Sequence, residues 1–150
     1  MTAASGDGSP ESIGRFVAID EHECWALLET VPIGRLAVPA GDQAPSVFPI
    51  AFTVDDWVIV FRTGPGEKLL ASLRGPISFQ ADSYDPLRRT GWSVLVKGIA
   101  YEVGVEERDG IELEPWAPGR RDTWLRLVPL DVSGRRIEHD VSDLDGRGYV

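Results

Sequence analysis

Cysteine occurs once in this chain of 150 residues, at Cys24, so no intramolecular disulfide can form and a reducing interior is the expected compartment. Histidine occurs twice, and neither His22 nor His139 stands in a zinc-ligand pattern, so no metal is expected. Basic charge is scarce. Fifteen Lys and Arg face 24 Asp and Glu, for a net charge of −9 and a pI near 4.6, and most of such a surface repels nucleic acid and anionic membrane alike. No apolar run approaches membrane-spanning length. The N-terminal MTAASGDGSPES has no basic region leading into an apolar one, so the expectation is a soluble cytoplasmic protein. Catalytic constellations are also missing. The carboxylates at Asp55, Asp56, Glu106 and Glu107 fall in turns, where solvated loop charge is the plain reading, and Cys24 sits among apolar helical positions, where a small buried hydrophobe is expected rather than a nucleophile.

What is present is enough apolar residue, 43%, for one compact domain. Residues 1–12 are small, polar and glycine-rich and are expected to form a tail, 13–137 the domain, and 138–150 a second tail. Asp20 is placed to cap a helix, Glu23 follows three residues on, and Cys24, Trp25, Leu27, Leu28 and Val31 supply an apolar face before Pro32 ends it. Strands are expected at 33–38, 46–54, 57–63, 77–85, 92–104 and 124–137, with a hairpin turn at Asp55-Asp56 and a bend or bulge at Gly98. In the fourth of these, Ile77, Phe79 and Ala81 alternate with Ser78, Gln80 and Asp82. In the sixth, Leu125 and Leu127 oppose Trp124, Arg126 and Val128. Ile33 and Leu36 fit no clean alternation. A short helix is expected at about 66–73, and a charged loop or short helix at 105–114. The sum is mainly β with short helices, a small six-stranded antiparallel barrel.

One stretch concentrates chemistry. FRTGPGEKLL places Arg62 and Thr63 at the end of a strand and Lys68, one of only two lysines, just beyond a Gly-Pro-Gly turn. If a helix starts there, its free amides, a hydroxyl and an ammonium converge as a phosphate seat. The same residues also describe an ordinary helix start with an exposed lysine, and taken alone they favour that reading slightly. The glycines match neither a P-loop nor a dinucleotide fingerprint.

In order along the chain, CWALLETVPIGRLAV, VFPIAF, FRTGPGEKL, FQADSYD, GWSVLVKGIA and PWAPGRRDTWLRL resemble the pyridoxamine 5′-phosphate oxidase-like superfamily, in its small actinobacterial-type branch. The resemblance covers roughly residues 15–137 and implies the FMN-binding split-barrel fold. It also implies a homodimer that holds FMN at the subunit interface and acts as an oxidoreductase on a small-molecule substrate. Relatives of this kind bind the deazaflavin F420 or haem instead, so an F420-dependent reductase and a non-catalytic flavin- or haem-binding module are the alternatives. Carried over residue by residue, the resemblance assigns Arg62 and Thr63 to the flavin and its phosphate, and Lys68 to the phosphate. It places Pro49 and Ile50, in VFPI, beside the isoalloxazine, where the proline withholds a strand donor. Trp92 and Ser93 match positions that approach from the partner subunit, and Trp116 is placed to cover the ring. The arginine-rich C-terminal signature with which the larger oxidases hold pyridoxal phosphate is absent, so pyridoxamine phosphate oxidation is not part of the expectation.

Overall fold

A computed structural model describes residues 14–64 and 73–139. The expected helix at 66–73, Lys68 with it, and both expected tails lie outside the described residues except at their edges. In chain order the elements are β1 (Arg15–Ile19), α1 (Glu21–Leu28), β2 (Ile33–Ala40), β3 (Gln43–Asp55), β4 (Val58–Thr63), β5 (Ile77–Asp85), β6 (Thr90–Glu102), a 3₁₀ turn (Val105–Arg108) and β7 (Thr123–Glu138). No helix among the described residues is long and apolar enough to cross a membrane.

All strand pairs are antiparallel, in the order β7-β4-β3-β2-β5-β6, and β6 pairs back onto β7 to close a barrel. These six strands are the six expected from the sequence. The seventh, β1, is a correction to that count. It adds to the second half of β7, Phe16 opposite Ile137, beyond the point where β4 leaves the same edge. Its pattern shows why it was missed: only Ile19 of its five residues is buried, and its partner lies at the far end of the chain.

Alternation holds where it was read. Ile77, Phe79 and Ala81 are buried, as are Leu125 and Leu127. The apparent irregularity of 33–38 disappears once Gly34 is counted as an inward position, because Gly34, Leu36 and Val38 all face the core. A Cβ on Gly34 would stand 2.3 Å from the Phe79 ring, so only glycine fits beneath it. Phe79 in turn meets Phe52 edge-on with centroids 4.8 Å apart.

Gly98 marks a bulge, as expected. The β6–β7 register steps from Lys97↔Asp131 to Gly98↔Pro129, leaving Leu130 unpaired and exposed. That one extra residue flips the parity of β7. Leu125 and Leu127 point inward before it, and Val132 packs against the core after it.

The hairpin turn falls at Asp56-Trp57, one residue later than expected, with both residues at positive φ (45° and 64°). A tryptophan rarely takes this conformation. It does so here with its ring against Trp25 at 6.1 Å and His22 at 6.3 Å.

Helix α1 begins at the expected cap, where Asp20 accepts a hydrogen bond from the Glu23 amide at 2.8 Å. The helix ends at Leu28, ahead of Pro32, and buries Cys24, Trp25 and Leu28. The Glu23 carboxylate pairs with Arg136 on β7, which fastens the helix to the barrel and raises the Arg136 pKa through that hydrogen bond.

Candidate functional site

Strand β4 is buried on both faces. Ile59 and Phe61 point into the core, while Val60, on the outer face, is as deeply covered. On that face Val60 shares the lining of a cavity of about 250 Å³ with Val103 and Ile111, from the long connection between β6 and β7 that we call the strap, residues 103–122. A connection this long with one turn of 3₁₀ helix is uncommon in a compact domain and usually functional. Its root is pinned where the Val103 amide donates to the Trp124 carbonyl at 2.8 Å.

Between the strap and the outer faces of β2, β3 and β4 lies a cavity of about 480 Å³. Its barrel side carries Pro49, Arg62 and Ile50, which borders it while packing half-buried against the core, and its strap side Leu113, Trp116 and Arg121. The lining is mainly apolar. Among the described residues it contains two guanidinium groups and no carboxylate, a local excess of positive charge in a chain of net charge −9. Pro49 faces outward in β3 opposite Arg35 and supplies no amide hydrogen to the ladder. Trp116 is 69% exposed, an indole standing at the cavity without being packed into the fold.

Arg62 sits at the centre of this arrangement. Its Nε donates to the Arg121 carbonyl and its Nη1 to the Leu113 carbonyl, both at 2.9 Å, and its guanidinium lies 4.8 Å from the centroid of the Trp124 ring. Arg108 approaches the same indole at 5.6 Å. A second cavity, about 520 Å³, adjoins the first and shares Arg62 and Leu113 with it.

Four of the residues singled out from sequence, Pro49, Ile50, Arg62 and Trp116, thus meet on one cavity. Thr63 is fully buried at the end of β4 and does not line it. Trp92 and Ser93 lie on β6, away from it. Trp92 packs partly against the core, and Ser93 lines a separate outer cleft of about 510 Å³ with Gln80, Tyr84 and Arg135. Sequence reasoning missed Ile33, Ala51 and the strap residues Leu113, Pro115, Ala117 and Arg121. The run GRRD beside PWAP, a pair of arginines in a Pro- and Gly-rich segment, was the available signal for the strap. Among the described residues no cluster of His, Cys, Asp or Glu is arranged to hold a metal ion.

Cys24 is fully buried beside Gly134, where an added Cβ would stand 2.6 Å from its sulfur. Burial, then the carboxylates of Asp20, Glu23 and Glu21, push its thiol pKa up. It has the character of a core residue.

Comparison with known proteins places this geometry among relatives. The pattern of the pyridoxamine 5′-phosphate oxidase family matches residues 20–136. The uncharacterized protein Rv0080 of Mycobacterium tuberculosis is 34% identical over 149 residues, covering 93% of this chain and 97% of that protein. A solved structure of an FAD-binding protein from Mycobacterium smegmatis is similar with a TM-score of 0.66 and 30% identity, over 83% of this chain and 100% of that one. A conserved protein of unknown function from Corynebacterium diphtheriae matches with a TM-score of 0.68 and 29% identity, over 82% and 98%.

Proposed function

Since the chain belongs to the pyridoxamine 5′-phosphate oxidase family and has its split-barrel fold, we propose that the cavity between barrel and strap binds a flavin nucleotide, FMN, and that the protein is an oxidoreductase acting on a small molecule. The observation that carries this reading is the lining: apolar side chains suited to a flat ring system, with Arg62 and Arg121 as the only ionisable groups among the described residues. A bound flavin would supply hydride or electron exchange at its ring, which accounts for a site without an evident acid or base. The chain's own residues then hold and orient the ring, with Pro49 and Ile50 beneath it and Trp116 beside it, and keep water away.

Two features favour FAD as a second reading. The adjoining cavity, lined by Trp124 and Arg62 together with Glu112 and Glu114, offers room for a ligand longer than FMN, and the similar Mycobacterium smegmatis protein is described as FAD-binding. The absorbance spectrum of the purified protein, with the released cofactor weighed by mass spectrometry, separates FMN from FAD, F420 and haem. A protein that neither retains nor binds any flavin on titration overturns the proposal.

The reading extends to a homodimer in which the partner's outer cleft at Ser93, next to the core-packed Trp92, completes the site. Its support is the outer face of β2, β5 and β6, where Arg35 of β2 forms a polar network with Gln80 and Asp82 of β5 beside the exposed Tyr84. Light scattering at low micromolar concentration should give twice the chain mass. The phosphate partner implied by the family resemblance, Lys68, lies outside the described residues. Replacing it by alanine should weaken FMN about 10- to 100-fold and leave riboflavin, which lacks the phosphate, nearly unchanged in an isothermal titration.

A further inference from the structure

We infer that Arg62 serves the cavity as a positioning residue: it buckles the strap across the barrel and so holds one wall of the site, in place of contacting the ligand phosphate. Five of the ten described residues around the cavity, Leu113, Pro115, Trp116, Ala117 and Arg121, belong to the strap. The strap has no strand or α-helix of its own, so its placement depends on side chains reaching out from the barrel. Arg62 does this at two separate points, with Nε on the Arg121 carbonyl and Nη1 on the Leu113 carbonyl. The planar fork of a guanidinium can span two acceptors in fixed directions, which a lysine ammonium on the same strand cannot reproduce.

The fork is itself held. It lies 4.8 Å over the Trp124 indole, the cross-strand neighbour of Arg62 in the β4–β7 ladder, so the platform comes from the rigid sheet. The Trp124 carbonyl meanwhile accepts the Val103 amide at the root of the strap. The two ends of the strap and its middle therefore converge on one β4–β7 pair. With two of its N–H groups aimed at strap carbonyls, Arg62 acts on the ligand through the wall it positions. The inference takes its ligand from the proposed flavin reading, but its geometry stands without one.

The test uses the full-length chain and trypsin, because Arg120 and Arg121 are cleavage points within the strap. Losing two charge-assisted hydrogen bonds should raise the rate of cutting after Arg120 or Arg121, identified by fragment mass, by roughly tenfold or more in Arg62→Gln, with the barrel's circular dichroism unchanged. Arg62→Lys should also cut faster than the parent. In flavin titrations both variants should lose affinity for FMN and riboflavin by the same factor, leaving their ratio intact. An unchanged cutting rate overturns the inference. So does a loss confined to FMN and restored by Arg62→Lys, since that is the signature of a cation on the phosphate. Should Arg62→Gln fail to fold, Trp124→Leu removes the platform while keeping Arg62; faster cutting there supports the buckle and an unaltered rate overturns it. If no flavin binds even the parent chain, the flavin reading falls and the cutting rates still decide this inference.

Discussion

The barrel wall of the cavity runs inside antiparallel ladders, Ile33 opposite Ala51 and Arg35 opposite Pro49, so its side chains are placed by backbone hydrogen bonds that alternate with fixed geometry. The strap wall on the other side has the composition of a loop, EPWAPGRRD, and is placed by an arginine reaching across from β4. One wall is thus part of the folding core and the other is added to it. The difference teaches where damage should show: changes behind the barrel wall should appear as lost stability, and changes in the strap as altered binding with stability kept.

The largest effect is expected behind the barrel wall. Phe79 is fully buried against Phe52 and over Gly34, and Phe79→Ala removes a ring that the surrounding strands cannot collapse to replace. A loss of about 3–5 kcal/mol in urea-induced unfolding is expected. A loss under about 1 kcal/mol would mean that this wall is as adaptable as the strap. Next in size, Gly34→Ala forces a methyl group against the same ring and should cost about 1–3 kcal/mol. Combining it with Phe79→Leu should recover part of that loss, because the two sites share one space.

On the strap the expectation reverses. Trp116→Ala, at an exposed indole, should leave unfolding within about 0.5 kcal/mol of the parent. FMN affinity should fall about 3- to 10-fold as a ring contact is lost, measured by fluorescence titration. Destabilisation comparable to that of Phe79→Ala would erase the contrast between the walls.

The smallest effect concerns the barrel interior and pH. The Cys24 thiol has a raised pKa when folded, so above the ordinary thiol range, about 8.5, the unfolded chain releases a proton that the folded chain keeps. The unfolded state is then favoured, and the contribution of this residue to stability is complete below that range and declines as pH rises through it. Chemical denaturation from pH 8 to 10 should show a steeper decline for the parent than for Cys24→Ala. Native protein at pH 8 should also react with a thiol reagent far more slowly than unfolded protein.

Much of the barrel was legible because strand geometry writes itself locally. The alternation at 77–82 and at 124–128 needs no partner to be seen, while β2, β3 and β4 were found from their β-forming residues and the turns that bound them. The α1 cap was legible for the same reason, since Asp20 and Glu23 lie within one turn. At the site, Arg62 stood out from its own stretch of sequence, Pro49, Ile50 and Trp116 came from family resemblance, and the four fall on one cavity. The remaining strap residues of its lining did not, because an irregular segment has no period to read. Gly34 hid the alternation of β2, as a glycine scores neither as apolar nor as polar until the Phe79 ring is seen to fill its place.

By itself the sequence determined what depends on neighbours a few residues apart: which faces of the strands are apolar, where the helix starts, and that no disulfide can form. It also determined that the chain is acidic enough to make a cavity lined by two arginines stand out. Tertiary structure alone decided what depends on partners far along the chain. It decided that RFVAI pairs with the end of β7, that the unpaired Leu130 reverses the facing of the second half of that strand, and that the two nitrogens of Arg62 meet strap carbonyls from another part of the chain. The physical reason is that side-chain alternation is a property of one strand's backbone, whereas register, bulges and loop contacts are settled only when distant segments compete for the same hydrogen bonds and the same space.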